Sequence, residues 1–162
     1  MIKLSKMKKQ SKIFLFILLI TYAILIILVT LCRRHYWTGN PTLYWDYIKR
    51  NVQLVPLKTV SEMFNSLIDN TFSVNARILA IANIGGNIAM MFPSGILIPL
   101  AFPRIKSLPL FIGCILIIII LIELIQLFTM AGSFDIDDIL LNLVGAVLGF
   151  WAFSKSRWYL SR

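Results

Sequence analysis

Apolar residues fill four long stretches of the chain, at 13–31, 79–102, 108–130 and 136–153. A helix needs about 20 mainly apolar residues to cross the hydrocarbon layer of a bilayer. The first stretch carries no charge. The second is interrupted by Asn83, Asn87 and Pro93, the third contains a lone acid, Glu123, and the fourth opens on acids and is short. The expected fold is all-α, an integral membrane bundle of four transmembrane helices with a long first outer loop at 32–78. A basic segment, 1–12, precedes the first helix. Residues 79–153 form a core of three helices, and 154–162 a basic tail. The first stretch is longer than the 7–15 apolar residues of a signal peptide and no small-residue cleavage site follows it, so it reads as an uncleaved anchor.

The long loop has a pattern of its own. Val60, Met63, Phe64, Leu67 and Ile68 repeat at helical spacing and predict a short helix with one apolar face. That helix either lies on the outer membrane surface or packs against the bundle; the alternative is a solvated loop whose apolar residues pack on its own core. Tyr36, Trp37, Tyr44, Trp45 and Tyr47 suit the headgroup level. Within the second stretch Pro93 removes a backbone donor, which predicts a kink or break over 92–95.

Composition agrees with a lipid surrounding: 59% of the residues are hydrophobic and 14% charged, against about 25% charged in a soluble domain. The net charge of +9 is placed for an anionic membrane surface rather than for nucleic acid, because Lys3, Lys6, Lys8, Lys9 and Lys12 sit together beside an apolar run. With both termini in the cytoplasm, ten cations lie inside: those five, Arg104, Lys106, Lys155, Arg157 and Arg162. The long first loop then holds six, namely Arg33, Arg34, Lys49, Arg50, Lys58 and Arg77, and the last loop none. The positive-inside rule favours this orientation, which turns the acid-rich turn Gly132–Asp138 outward.

Catalytic and metal signatures are sparse. Cys32 near the end of the first span and Cys114 within the third are two unclustered cysteines in lipid-facing segments and make no disulfide framework. His35 is the one histidine and has no neighbouring ligand for a zinc site. No metal site and no cofactor are expected. The polar residues inside the spans carry the information, because ionisable groups in a bilayer are rare and mark functional sites. They are Glu123 with Gln126 one turn on; Asn83 and Asn87 at i, i+4; and Asp138 and Asn142 at i, i+4, preceded by Asp135 and Asp137. A rise of about 1.5 Å per residue places Asn87, Glu123 and Asn142 in one layer roughly 9–12 Å from the outer end. Asn83, Gln126 and Asp138 form a second layer nearer the mouth.

Two readings of these groups stay open. In one they tie helices together, with the Asp run at the positive end of the fourth helix and Gly145 and Gly149 as a close-packing GxxxG face. In the other Asn83, Asn87, Glu123, Gln126, Asp135, Asp137, Asp138 and Asn142 line an outward polar pocket. The three aspartates exceed what capping requires, so at least one is expected to meet a ligand, an ion or a basic partner.

Three motifs in order, Asn87 to Phe92-Pro93-Ser94-Gly95, then Glu123-Leu124-Ile125-Gln126, then Asp135-Ile136-Asp137-Asp138 with Asn142, Gly145 and Gly149, resemble the VanZ-like family. Leu54-Val55-Pro56 resembles the short loop element that precedes them in that family. Gln53, Leu57 and Ser94 depart from the family's usual residues. The resemblance spans about 51–153. It implies a multi-pass protein of the bacterial plasma membrane whose family namesake is linked to teicoplanin resistance, with no catalytic mechanism established. The expected partners are membrane lipid and a lipoglycopeptide or a lipid-linked envelope precursor. The alternatives are a small membrane enzyme acting on such a precursor, and a transporter or channel component with Glu123 as relay.

Overall fold

A computed structural model describes residues 9–31, 41–69 and 71–160. Lys3, Lys6, Lys8, the segment 32–40 with Cys32, His35, Tyr36 and Trp37, and Arg162 lie outside them. Four helices are long and apolar enough to cross a membrane: α1 (Lys9–Leu31), α4 (Val74–Ala101), α5 (Leu108–Phe128) and α6 (Ile136–Leu160). Between α1 and α4 the loop folds into α2 (Pro41–Arg50), a two-residue strand β1 (Val52–Gln53) and α3 (Lys58–Ile68). A second short strand, β2 (Phe134–Asp135), immediately precedes α6 and pairs in parallel with β1, Val52 opposite Phe134 and Gln53 opposite Asp135.

The helix boundaries follow local chemistry. Helix α4 starts at Val74, ahead of its apolar run, because the Ser73 hydroxyl accepts from the Ala76 N–H at 3.2 Å and caps the first turn. Such a hydroxyl satisfies one of the donors that a helix start leaves open. Helix α5 ends where Met130 takes a left-handed backbone, φ 56°. That turn lets the N–H groups of Ala131 and Gly132 reach the Gln126 carbonyl at 2.9 and 3.2 Å, closing carbonyls that the helix end leaves open.

Pro93 does not break α4. The helix continues through both Pro93 and Pro99. The carbonyl that Pro93 leaves without a helical donor is that of Ala89, four residues earlier. Two hydroxyls bond the carbonyls next in line: Ser94 Oγ donates to Met91 at 2.6 Å, and Tyr22 Oη donates to Met90 at 2.6 Å, which ties α1 to this turn. The same stretch of α4 is backed by α6, where Phe92 and Gly95 meet Gly149 and Ala146.

The core forms where α4, α5 and α6 meet. Met91 and Ile98 of α4, Phe111, Ile115 and Ile119 of α5, and Ile139, Ala146 and Phe150 of α6 are buried together, with Ile26 of α1 against them. Phe111 and Phe150 stack with ring centroids 4.8 Å apart. On α5 the buried positions Phe111, Ile115, Ile119, Glu123 and Leu127 step by four, one continuous face of a helix.

Helices α4 and α6 approach closest. A Cβ on Gly145 would collide with the Ile88 carbonyl oxygen, one on Gly149 with that of Phe92, and one on Gly95 with that of Ala146. Small residues permit this backbone-to-backbone contact, which supplies much of the attraction between helices in lipid. Gly113 on α5 has open space where its Cβ would be. Gly145→Ala is expected to lower unfolding stability by about 1–3 kcal/mol through overpacking, measured by thermal unfolding in detergent. Gly113→Ala is expected to show no loss in the same assay.

Candidate functional site

The three aspartates before and at the start of α6 serve three different helices. Asp135 caps α6 itself: its Oδ1 accepts from the Asp137 N–H at 2.9 Å. Its Oδ2 accepts from Thr59 Oγ1 of α3 at 2.7 Å. Asp137 caps α3 from across the fold. Its Oδ1 accepts from the Leu57 N–H at 2.6 Å and its Oδ2 from the Val60 N–H at 3.0 Å.

Helix α3 needs this external cap. The residue at its N-cap position is Leu57, held at φ 63° with no capping side chain of its own. The first N–H groups of a helix have no internal partner, and a carboxylate there also meets the positive end of the helix dipole. Asp137 itself is fully buried, 0% exposed, so its carboxylate depends on these donors in place of water. Part of the acid in excess of capping α6, for which a ligand, an ion or a basic partner is expected from the sequence, is thus taken up by a second helix.

Asp138 turns to α4. The Asn87 amide donates to its Oδ1 at 2.5 Å, and the same Nδ2 lies 3.3 Å from Asn83 Oδ1. Asn83, Asn87 and Asp138 are therefore one hydrogen-bonded group. The bond joins side chains from the two layers expected from counting. Gly145 packs on Ile88, so the Asn87 backbone lies beside the part of α6 that carries Asn142, and its side chain reaches toward Asp138 at the start of that helix.

Glu123 and Asn142 are buried on the inner faces of α5 and α6, 2% and 1% exposed. The Asn142 Oδ1 atom is buried with no hydrogen-bond partner among the described residues. Asn142 lies one turn beyond Asp138 on α6. Gln126 is half-buried, and its main-chain carbonyl is the acceptor that closes the α5 turn.

The loop helices lie over this end of the bundle as a cap. Tyr47 Oη donates to the Gly132 carbonyl at 2.8 Å, and Tyr44 Oη to that of Phe128 at 3.1 Å. The Phe134 N–H donates to the Asn51 carbonyl at 2.8 Å. Burial pushes the Tyr47 phenol above its ordinary value, which keeps it a donor. An open hollow of about 320 Å³ lies between Tyr44, Phe128, Thr129 and Met130, away from the carboxylates.

Several of these residues carry no signal in the sequence. Tyr22 and Ser94 look like minor interruptions of apolar runs. Thr59 lies between a lysine and a valine without a motif. Tyr44 and Tyr47 were visible as aromatic, but their carbonyl acceptors are more than 80 residues away.

Fold and site together define a class: multi-pass α-helical membrane proteins whose buried polar side chains gather at one end of the bundle, beneath a folded loop. Within it, the chain belongs to the VanZ/LLP1 family, whose model matches residues 16–158. It is 26% identical over 145 residues to Protein VanZ of Enterococcus faecium, an alignment covering 90% of this chain and 76% of that protein. No solved structure matches it.

Asp137→Ala is expected to free the Leu57 and Val60 amides. A buried donor left without its acceptor costs about 1–3 kcal/mol. Hydrogen exchange at those two amides should rise with little change at Met91 or Ile119. Equal acceleration throughout the bundle would mean that Asp137 holds the whole fold rather than the cap.

Proposed function

We propose that the protein acts in the bacterial plasma membrane, cap outward and both termini inside, and lowers susceptibility to teicoplanin-type lipoglycopeptides through the polar group beneath the cap. The observation that carries this reading is Glu123. It is a buried carboxyl group inside a segment of span length, and intramembrane acids are expensive to hold and functional by default. Asp138, Asn83, Asn87 and Asn142 supply acceptors and amides at the same end of the bundle. A lipoglycopeptide offers an amine for a carboxylate and a lipid tail for the surrounding apolar helices. Family membership and the similarity to Protein VanZ support the theme. Asp135 and Asp137 enter this reading as holders of the cap over the site, with Gln126 at its rim.

The outward orientation is tested by a cysteine at Ser133 in the turn between α5 and α6. In a variant lacking the native cysteines it should react with an impermeant thiol reagent in intact cells. Labelling only after lysis would invert the topology.

The functional reading is tested by susceptibility to teicoplanin beside vancomycin, with and without the gene. The gene should raise tolerance to teicoplanin more than to vancomycin. Glu123→Gln, which keeps shape and hydrogen bonding, should abolish the effect while the protein still accumulates in the membrane. Full activity of Glu123→Gln at normal abundance would remove Glu123 from the mechanism.

A further inference from the structure

Helix α3 has three sides, and each meets a different surrounding. At about 100° per residue, Val60, Met63, Ser66 and Leu67 fall on one side, and these are buried or half-buried against the bundle. Lys58, Glu62 and Asn65 fall on a second side, polar and exposed. Leu57, Phe64 and Ile68 fall on the third. They are large and apolar, yet 61%, 58% and 64% exposed. The apolar arc of α3 is therefore wider than the face that the bundle covers.

The neighbouring chain extends this apolar edge. Leu54 and Val55, just before α3, and Phe72 and Val74, just after it, are exposed as well. A contiguous apolar surface on a soluble face is unusual and marks an interaction site. Its level relative to the bilayer is set by the connections already described. Asp137 and Asp135 pin the start of α3 to the first turn of α6, and β1 pairs with β2 at the same place. The far end of α3 leads within a few residues into the span α4. The helix is thus fixed at the height where two spans leave the hydrocarbon. Three exposed cations, Lys49, Arg50 and Lys58, bracket the apolar segment between them. An amphipathic helix with an apolar edge and basic flanks is built to lie in the headgroup–acyl boundary of an anionic leaflet.

We infer that the Leu57–Phe64–Ile68 edge of α3 is seated in the cap-side leaflet, at the boundary between headgroups and acyl chains, and that Lys49, Arg50 and Lys58 select anionic phospholipid there. The inference goes beyond the proposed role in antibiotic susceptibility and does not depend on it. The cap is then a wedge between bundle and lipid. Its inner side covers the polar group of α4 and α6, and its outer edge is held by the bilayer.

Site-directed spin labelling of the full chain in phospholipid vesicles tests this. In a background with Cys32→Ser and Cys114→Ser, nitroxides are placed through Phe64→Cys, Ile68→Cys, Glu62→Cys or Asn65→Cys, all at exposed positions. Collision with oxygen, which concentrates in lipid, is compared with collision with a water-soluble nickel chelate. At 64 and 68 oxygen should exceed nickel severalfold, and at 62 and 65 the order should reverse. Adding phosphatidylglycerol to phosphatidylcholine should reduce nickel access at 64 further. That response should vanish when Lys49→Gln, Arg50→Gln and Lys58→Gln are combined. Nickel access at 64 and 68 equal to that at 62 would place the edge in water and overturn the inference. Exclusion of both reagents would mean that protein, a second copy or another chain, covers the edge, and would overturn it equally. Depth indifferent to phosphatidylglycerol would remove the anionic selection.

Discussion

The carboxylate of Asp137 is the interaction on which this end of the molecule depends. It joins the first turn of α6 to the first turn of α3 across nearly 80 residues of chain, through two short hydrogen bonds to main-chain N–H groups. Main-chain donors at a helix start must be satisfied, and burial makes the requirement strict. Leu57 cannot meet it. A buried acid supplied from elsewhere both satisfies the donors and complements the helix dipole. The β1–β2 pairing, the Thr59–Asp135 bond and the two tyrosine clasps then act on a loop whose position is already set. The long first loop is folded onto the bundle by this means.

A second constraint lies below it. The polar group of α4 and α6 can form only if the two backbones come close, and Gly95, Gly145 and Gly149 allow that. The Asn87–Asp138 bond sits at the cap-side end of this seam. Its geometry is inherited from the glycine contacts below, since Gly145 meets Ile88, the residue next to Asn87. Helix α4 stays continuous through Pro93, with Tyr22 of α1 bonded to the Met90 carbonyl in the turn before it. A helix broken there would have lost the register between its glycine contacts and its asparagines.

The four spans were legible because lipid imposes length and apolarity on any segment that crosses it, and 13–31 and 108–130 needed nothing more. Helix α3 was legible from Val60, Met63 and Leu67, whose spacing reflects a covered face. Helix α2 was not foreseen: its residues read as interfacial aromatics, and the groups that hold it are carbonyls far away in sequence. The acid-rich turn was recognised as more than capping requires and read as meeting a ligand, an ion or a basic partner; the use of Asp137 was not readable, because its partners are backbone amides, which every residue but proline has.

A carboxylate held by main-chain N–H groups differs in kind from one held by a side-chain amide. The partners of Asp137 cannot leave without unwinding the first turn of α3, so a ligand competing for Asp137 would have to replace the cap itself. The same holds for Asp135, whose Oδ1 closes the first turn of α6. The Asn87 amide is different. It can rotate away from Asp138 by turning one side chain, with Asn83 Oδ1 already within reach as an alternative acceptor. Asn142, one turn further along α6, keeps a buried acceptor atom without a hydrogen bond among the described residues. Unlike Asp135 and Asp137, then, the Asn87 amide can exchange an internal hydrogen bond for an external one without unwinding a helix turn. Asp135 and Asp137 hold the cap in place, which leaves Asn87, Asp138 and Asn142, with Glu123, to the proposed binding chemistry.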